Sequence, residues 1–504
     1  MNLKLKLTKL DLVIFVTFAL FYWISRSTNL TNIPIFTDEA IYIRWSQIGL
    51  QDAAWRFIPL TDGKPPLYHW FLMIALKFID NPLIAGRFIS NISGFASAIL
   101  IWPLTYFLFN KKPVAHLATL FYLISPFMLL YDRLAIVDSL LTTTSIASAL
   151  MAVLLVKTLR LDTALLFGGA IGAALLTKAS GLIFFLLSPF ALLTVNWKKT
   201  QLVKKGLTWS GLMVISLILS QLIYAILRLS QFYYRIEQKN YEFIIPLSEF
   251  LQHPFAMTWG NAKSLFKWQL EYLSLVFLML IIVSFFSRTK YKEKLMMLIY
   301  YVAPFIMIAS FNKIIFPRFL LFSTPFLLIL AAVGAQQVLD YLKKDWAKIS
   351  VVAVLCLIPF RSSYLLITAP AIAPIPQADR DQYYDSWPAG HGISETVDYF
   401  RQQAEIQPIY VGTQGTFGLF PHSIEIYLSN HPNVEIHSFW PVDTVPLEVT
   451  QAAAQKKTFF IYNELENIPP QENLELIMEF TKQREEEIRH MRVFEVKPIT
   501  STNQ

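Results

Sequence analysis

The apolar stretch LVIFVTFALFYWIS, residues 12–25, followed shortly by FTDEAIY, residues 36–42, decides how the rest of the chain is read. The first stretch has the character of a membrane span, and Lys4, Lys6 and Lys9 precede it. Basic residues beside a span favour the cytoplasmic side, so the chain is carried outward and Asp38-Glu39 emerges on the opposite face. No small-residue cleavage site follows, so the segment reads as a retained signal anchor rather than a removed signal peptide. An acidic pair at a membrane surface is costly, which marks it as a candidate functional site.

Composition supports this frame. The 504 residues are 55% hydrophobic and 15% charged, with a mean hydropathy of +0.45, as in polytopic membrane proteins rather than soluble domains. A net charge of +8 does not point to nucleic acid, because Lys and Arg gather in short loops between apolar runs. The 40 Phe and 12 Trp suit lipid-facing and interfacial surfaces. The single cysteine, Cys356, lies in an apolar run, which excludes a disulfide framework and a thiolate metal cluster.

Working outward from the first span, about eleven segments approach the length that crosses a hydrocarbon core of roughly 30 Å. They are residues 12–26, 84–109, 114–131, 138–156, 163–177, 181–197, 207–228, 269–287, 295–311, 318–339 and 348–368. Loop charge agrees with that alternation. Lys111-Lys112, Lys157 with Arg160, Lys198-Lys199 with Lys204-Lys205, Arg288 to Lys294, and Lys343-Lys344 with Lys348 all fall on the N-terminal side. Pro65–Ile79 is too short to span easily and reads as an interfacial or re-entrant helix on the outer face. Counted as a span, it would reverse the charge agreement.

The expected fold class is therefore a polytopic α-helical membrane protein with juxtamembrane helices on its outer face. Residues 1–374 form the membrane domain, with outer loops at about 27–83 and 229–267. From about Ile375 the composition turns polar. Strand-like runs at Pro408–Thr413, Val434–Phe439, Lys457–Tyr462 and Met491–Lys497, with helical stretches near Ser394–Ala404 and Asn473–Arg484, predict a small α/β domain over 375–504. An odd number of spans places it outside. Neither repeats nor low-complexity tracts are visible.

Several fragments carry charge to that outer face. In FTDEAIY, Thr37 suits an N-cap and the acids suit the positive end of a helix. One acid would suffice for capping, however, and Asp38 and Tyr42 share a helix face. In DGKPPLYHW (62–70) the prolines interrupt one helix and start another, presenting Lys64 from a rigid turn. YDRLAIVDS (131–139) packs three charges into a short connection, and LTKASG (176–181) sets Lys178 at a helix junction. Lys313 and Arg318 flank Pro317. Singly, each fragment has a plain reading as a cap, a snorkelling side chain or a solvated hairpin. Together they place Asp38, Glu39, Asp138, Lys64, Arg133, Lys178 and Arg318 on one face. A lipid-linked phosphate needs cations to hold it, and an acceptor hydroxyl needs a carboxylate to take its proton.

The fragments DEAIY, GKPPLYHW, AGRFIS (85–90), YDRLAIVDSLLT, LTKASG and FPRFLLFSTPFLLILAA resemble, in order over about residues 10–340, the GT-C polyprenyl-phosphate-sugar glycosyltransferases. The nearest branch is the family 39-type one that holds aminoarabinose lipid A transferases and protein O-mannosyltransferases. The resemblance implies a GT-C fold and an inverting transfer from a polyprenyl-phosphate sugar, hexose or pentose, on the outer face of a bacterial plasma membrane. It makes Asp38 the catalytic carboxylate, with Glu39 and Asp138 as further acids. It assigns Tyr42, Lys64, His69, Arg87, Tyr131, Arg133, Lys178 and Arg318 to substrate binding, with Lys64, Lys178 and Arg133 at the donor phosphate. Arg87 reads equally well as a helix-end anchor. No cofactor is required by these residues. A divalent metal stays open, with Glu39 and His69, and behind them His253, as weak candidate ligands.

The C-terminal part does not match the well-studied branches. Its DRDQYYDSWPAGHGISE stretch (379–395) reads either as a sugar-binding loop or as the linker and first turn of the domain. The acceptor stays open between a glycolipid, a cell-wall polysaccharide and a protein hydroxyl. A transporter or flippase of lipid-linked glycans is the alternative, although such proteins tend to show repeated halves and mid-membrane charges. A receptor or structural protein would leave the charged cluster unexplained.

Overall fold

A computed structural model describes residues 7–483 and 488–498. Lys4 and Lys6 of the basic tail, and Arg484 at the end of one expected helix, lie outside the described residues. Seven described helices are long and apolar enough to cross a membrane: Lys9–Ser27, Pro82–Phe109, Asp138–Thr158, Lys199–Leu229, Thr258–Ser284, Tyr291–Phe311 and Asp345–Thr368. An eighth span is broken: Lys112–Ile124 and Pro126–Asp132 meet at 60°. Shorter apolar helices, Leu161–Thr177, Ala179–Thr194 and Thr324–Asp340, occupy the remaining expected positions. The fold class is that of a multi-pass helical membrane protein.

The departures from the expected spans have local causes. Pro126 has no N–H to continue the ladder from Lys112–Ile124, so a straight span over 114–131 is not formed. The seventeen residues of Leu161–Thr177 rise only about 25 Å, a little less than the hydrocarbon thickness. Helix Thr258–Ser284 starts well before the expected 269 and breaks at Ser274, where φ is 61°. Leu67–Ala75, inside the ambiguous Pro65–Ile79 segment, has nine residues and so reaches only about 14 Å.

The chain divides into two compact units, one of Met1–Leu30, Ala54–Phe71 and Arg87–Pro376, the other of Thr31–Ala53, Leu72–Gly86 and Gln377–Gln504. The segment bearing Asp38 thus groups with the C-terminal residues. In the first unit, the loops rich in lysine meet at one end of the bundle. Lys112 contacts Asp11 at 2.5 Å, Lys111 contacts Asp340 at 3.1 Å, and Lys292 donates to Asn196 at 3.2 Å. At the opposite end Asn261 donates to the carbonyls of Ala309 and Asn312, and Lys313 N–H donates to Phe243 O at 2.8 Å. Between the ends, helices 258–284 and 324–340 approach so closely that a Cβ on Gly334 would stand 1.9 Å from the carbonyl oxygen of Leu280.

The second unit holds two sheets. Strand β1 (Ile35–Phe36) pairs antiparallel with β2 (Ala389–Gly390). Strands β3 (Ile409–Gln414), β4 (Val434–Phe439), β5 (Lys457–Tyr462), β6 (Leu474–Gln483) and β7 (Ile488–Val496) form a five-stranded sheet in the order β4-β3-β5-β7-β6. The first three are mutually parallel where they pair, and β7 runs antiparallel to β5 and β6. Tyr410, Val449, Phe460, Tyr462 and Val496 build its core. Helix Ile393–Ile406 packs its Phe400 ring on Phe459 at 5.0 Å.

Four expected strands and the first expected helix occur, but Asn473–Arg484 is corrected from helix to strand. A register slip between Leu476 and Met478 interrupts the two-residue alternation. Only beyond it do Met478, Phe480 and Lys482 fall on the more buried face, with Glu479 and Thr481 exposed. The slip hides the strand period in a sequence of good helix formers, and pairing with β7 overrides their propensity.

Candidate functional site

The Asp38 turn is built by strand pairing. Ile35 faces Gly390 and Phe36 faces Ala389, which leaves Phe36 extended (φ −101°, ψ 154°) as the N-cap of helix Thr37–Gln51. Thr37, expected to be that cap, is instead the first helical residue. Its N–H and its hydroxyl both donate to the carbonyl of Pro388 at 3.1 Å. Glu39 is fully buried, and its carboxylate accepts the Phe36 N–H at 2.9 Å. That bond satisfies one of the orphan donors at a helix start. Asp38 is part-exposed on the same turn. One turn later Tyr42 is buried and stacks on Trp45, with centroids 6.2 Å apart. The helix is docked further by Arg44 on Glu425 at 3.0 Å and by Gln47 on the Ile426 carbonyl at 2.8 Å.

The remaining expected site residues lie in the first unit. Gly63 ends a short helix at φ 64°, and a Cβ there would collide with Lys239 and the Arg235 carbonyl. The turn is closed by Asp62, which receives Lys64 at 3.3 Å and Lys239 at 2.8 Å. Lys239 comes from helix Arg235–Phe243 of the second outer loop. Leu60, Leu176, Leu227 and Ile236 form one cluster, so the Lys64 turn and the end of the helix preceding Lys178 share a hydrophobic support.

Lys178 pairs with Asp138 at 3.1 Å, and its ammonium sits 4.7 Å from the centroid of the Phe319 ring. Asp138 begins helix Asp138–Thr158, where the dipole favours an anion. Arg318 lies 5.2 Å from the Phe316 ring in the short helix that also holds Phe319. His69 is buried, and burial, followed by the nearby Lys64 ammonium, pushes its imidazole down to about 3. It is therefore a neutral side chain at physiological pH. Tyr131 is buried with its ring edge-on to Phe127 at 5.4 Å.

The two expected arginines are placed differently from the lysines. Arg133 is fully buried and donates to the carbonyls of Ser25 (3.0 Å), Arg26 (3.2 Å), Thr28 (2.7 Å) and Asn29 (2.8 Å). The first three belong to the oxygens a helix leaves unbonded at its C-terminal end, and Asn29 is the next residue after its cap. Arg87, also buried, donates to Leu30 O at 2.5 Å. The structure thus groups Asp138 with Lys178, Lys64 with His69, and both arginines with the exit of the first span.

Sequence reasoning missed three features. Arg26 stands 3.5 Å from Asp132, both buried, and Asp132 also accepts from Tyr122 (3.3 Å) and Ser139 (3.1 Å). The signal for this was an arginine at the inner edge of the Ser27 exit, readable only as an interfacial anchor. Lys239 and the Thr37–Pro388 contact had no sequence signal, because both partners are remote along the chain. For a metal, among the described residues no three His, Cys, Asp or Glu side chains are grouped to hold an ion. Glu39 gives one carboxylate oxygen to the Phe36 amide.

Residues 63–224, about a third of the chain, match the family described as dolichyl-phosphate-mannose-protein mannosyltransferase. No curated protein matches the chain by sequence. Among solved structures, ArnT from Cupriavidus metallidurans bound to undecaprenyl phosphate aligns at 14% identity and TM-score 0.55, covering 97% of this chain and 98% of that one. The apo form of that ArnT aligns at 15% identity and TM-score 0.53, covering 96% and 97%. The archaeal oligosaccharyltransferase AglB from Archaeoglobus fulgidus, in complex with an inhibitory peptide and a dolichol-phosphate, aligns at 13% identity and TM-score 0.51, covering 83% of this chain and 63% of that one. At such identities the likeness carries the fold: the chain has the GT-C architecture, and the resemblance seen in its motifs is borne out.

Proposed function

We propose that this protein is a membrane glycosyltransferase that moves a sugar from a polyprenyl-phosphate donor to an acceptor hydroxyl on the extracytoplasmic face of a bacterial plasma membrane, with inversion. The observation that carries the reading is the shared support of two cation-bearing turns. Lys64 and Lys178 flank one hydrophobic cluster, and Asp138 holds Lys178 above the Phe319 ring. Two fixed ammonium groups on one scaffold suit a phosphate that gains charge as it leaves. The GT-C architecture and the family match over 63–224 support the same assignment.

In this mechanism the acceptor oxygen attacks the anomeric carbon while Asp38 takes its proton. The bond from the anomeric carbon to the phosphate oxygen breaks, and its electron pair leaves with the polyprenyl phosphate. Lys64 and Lys178 meet the charge that develops there, with Arg318 on the Pro317–Leu320 helix whose Phe319 ring lies under Lys178. Glu39 holds the turn that carries Asp38, and Tyr42 with Trp45 forms an aromatic wall suited to a sugar ring. Neutral His69 and Tyr131 offer hydrogen bonds without competing charge. Arg87 and Arg133 serve the substrate indirectly, by fixing the exit of the first span through its carbonyls. The acceptor is a glycolipid, a cell-wall glycan or a protein, and the N-terminus is cytoplasmic.

Mass spectrometry of lipids retained by the detergent-purified protein tests this reading. A polyprenyl-phosphate pentose or hexose is expected from the parent and not from Lys64→Ala/Lys178→Ala. Recovery of only bulk phospholipid from both would count against a donor site, and a large lipid-linked oligosaccharide would favour a flippase.

A further inference from the structure

Lys482, on β6, is fully buried in the second unit. Its ammonium donates to Asn463 Oδ1 at 2.5 Å and to the Trp387 carbonyl at 3.4 Å. Asn463 in turn donates its amide to the same Trp387 carbonyl at 3.1 Å. The backbone around Asn463 is itself pinned, because the N–H groups of Asn463, Glu464 and Leu465 all donate to Gln414 Oε1, at 2.9, 2.9 and 3.2 Å. Gln414 closes β3 and Asn463 follows β5. The centre of the sheet therefore grips one peptide carbonyl of an otherwise irregular segment.

That segment leads directly to the acidic pair. The next residue, Pro388, accepts both bonds from Thr37, and Ala389 and Gly390 pair with Phe36 and Ile35. Gly390 permits the close approach, since a Cβ there would stand 2.5 Å from the Ile35 side chain and 2.7 Å from its carbonyl oxygen. A buried ammonium is a costly way to fill space, and an apolar side chain of similar length would pack there without desolvating a charge. Burial pushes the amine down to about 7, with Glu464 and Glu466 opposing that shift and Arg489 adding to it. His391 also faces the group and is itself pushed down by burial and by Lys482. The ammonium is retained at a cost, which argues for a task other than packing.

We propose that Lys482 is a positioning residue for the Asp38 turn. Through Asn463 and the Trp387 carbonyl it fixes residues 386–390, and these, through the β1–β2 pair and Thr37, fix the helix start that carries Asp38 and Glu39. The C-terminal sheet is then part of the catalytic apparatus and not an appended module. The inference rests on the reading of Asp38 as the catalytic base.

The test uses the full chain in lipid nanodiscs, with synthetic polyprenyl-phosphate pentose and hexose as donors and an envelope glycan and glycolipid extract as acceptor. Lys482→Met is expected to lower kcat roughly 10- to 100-fold while donor KM stays within about twofold, as misplacement of a reacting group does. Amide exchange at residues 35–38 should rise while β3 and β5 stay protected. On an Asp38→Asn background, Lys482→Met should change the residual rate no further. Thr37→Val, which removes one bond at the other end of the chain of contacts and leaves the sheet alone, should lower kcat in the same sense by a smaller factor. A further loss on the Asp38→Asn background, or exchange that rises throughout the sheet with residues 35–38 no more affected than the rest, would overturn the positioning role. Parental activity in Asp38→Asn would instead overturn the reading of Asp38, and would be recognised because the exchange change at 35–38 persists without a rate effect.

Discussion

Exposed ion pairs mark the lysine-rich end of the membrane bundle and buried ones the other end, with Lys112 on buried Asp11 and the buried Lys294 as exceptions at the first. At the lysine-rich end, the Lys111–Asp340 and Arg160–Asp162 pairs are all about half exposed or more, and side chains of this kind orient a chain in the bilayer while adding little stability. At the other end Asp138 is buried against Lys178, Arg26 is buried against Asp132, and Arg133 is buried against four carbonyls. Desolvated charges of this kind are strong, costly to break and fixed in direction. The contrast teaches that loop charges differ in kind: an exposed pair is suited to topology, and a buried one to fixing a neighbour in place.

If that contrast is sound, the largest effect belongs to the reacting carboxylate. Asp38→Asn is expected to lower transfer by roughly 10²- to 10⁴-fold with the protein still folded, as measured by donor turnover together with a melting curve. Lys178→Ala should follow, with a loss of about 10²-fold or more in kcat. Asp138→Asn, which leaves Lys178 without its anchor, should show a smaller loss in the same assay. Arg133→Ala should act on stability before chemistry, by about 3 kcal/mol, since it strips a charged donor from several buried carbonyls. Thermal unfolding in detergent checks it, and an unchanged melting temperature would break the comparison. Lys111→Ala at the exposed end should move stability by less than about 0.5 kcal/mol.

A pH effect sharpens the same comparison within the soluble sheet. The folded-state pKa of Lys482 lies below its ordinary value, at about 7, so the unfolded chain binds more protons between that value and about 10.4. Stability should therefore rise with pH across that window, and the cost of the buried ammonium should be felt in full below it. Lys482→Met should remove this part of the slope. Melting temperatures of parent and variant measured in parallel from pH 6 to 10 should converge or cross in the parent's favour as the pH rises.

The legible and illegible parts of the molecule divide along physical lines. Apolar helices stand at the expected segments because such runs announce themselves locally by length and hydropathy, although among the described residues seven are long enough to span, one is a bent pair and three are shorter. Strands β4 and β5 were readable to the residue for a similar reason, their β-rich runs being bounded by turn residues. Strand β6 was not, because the slip at Leu476/Met478 erased its period. The lysines of the candidate site stood out as charges in apolar surroundings, but whether an arginine faces a substrate or closes a helix end depends on carbonyls from a distant element. That is why Arg133, which the resemblance set at the donor phosphate, and Arg87, which read equally well as a helix-end anchor, both bond carbonyls at the first span's exit in the structure.

By itself the sequence determined that the chain crosses a membrane many times, which loops carry its basic charge, and which acids and lysines stand out in apolar surroundings. These are properties of local composition, written into each segment independently. Only the tertiary structure decided that the Asp38 turn is a strand partner of residues 389–390, that Thr37 bonds Pro388, and that a buried lysine on the last hairpin stands behind them. Those contacts join residues 95 to 355 positions apart. Their energy lies in pairing and desolvation, which exist only once the chain has folded.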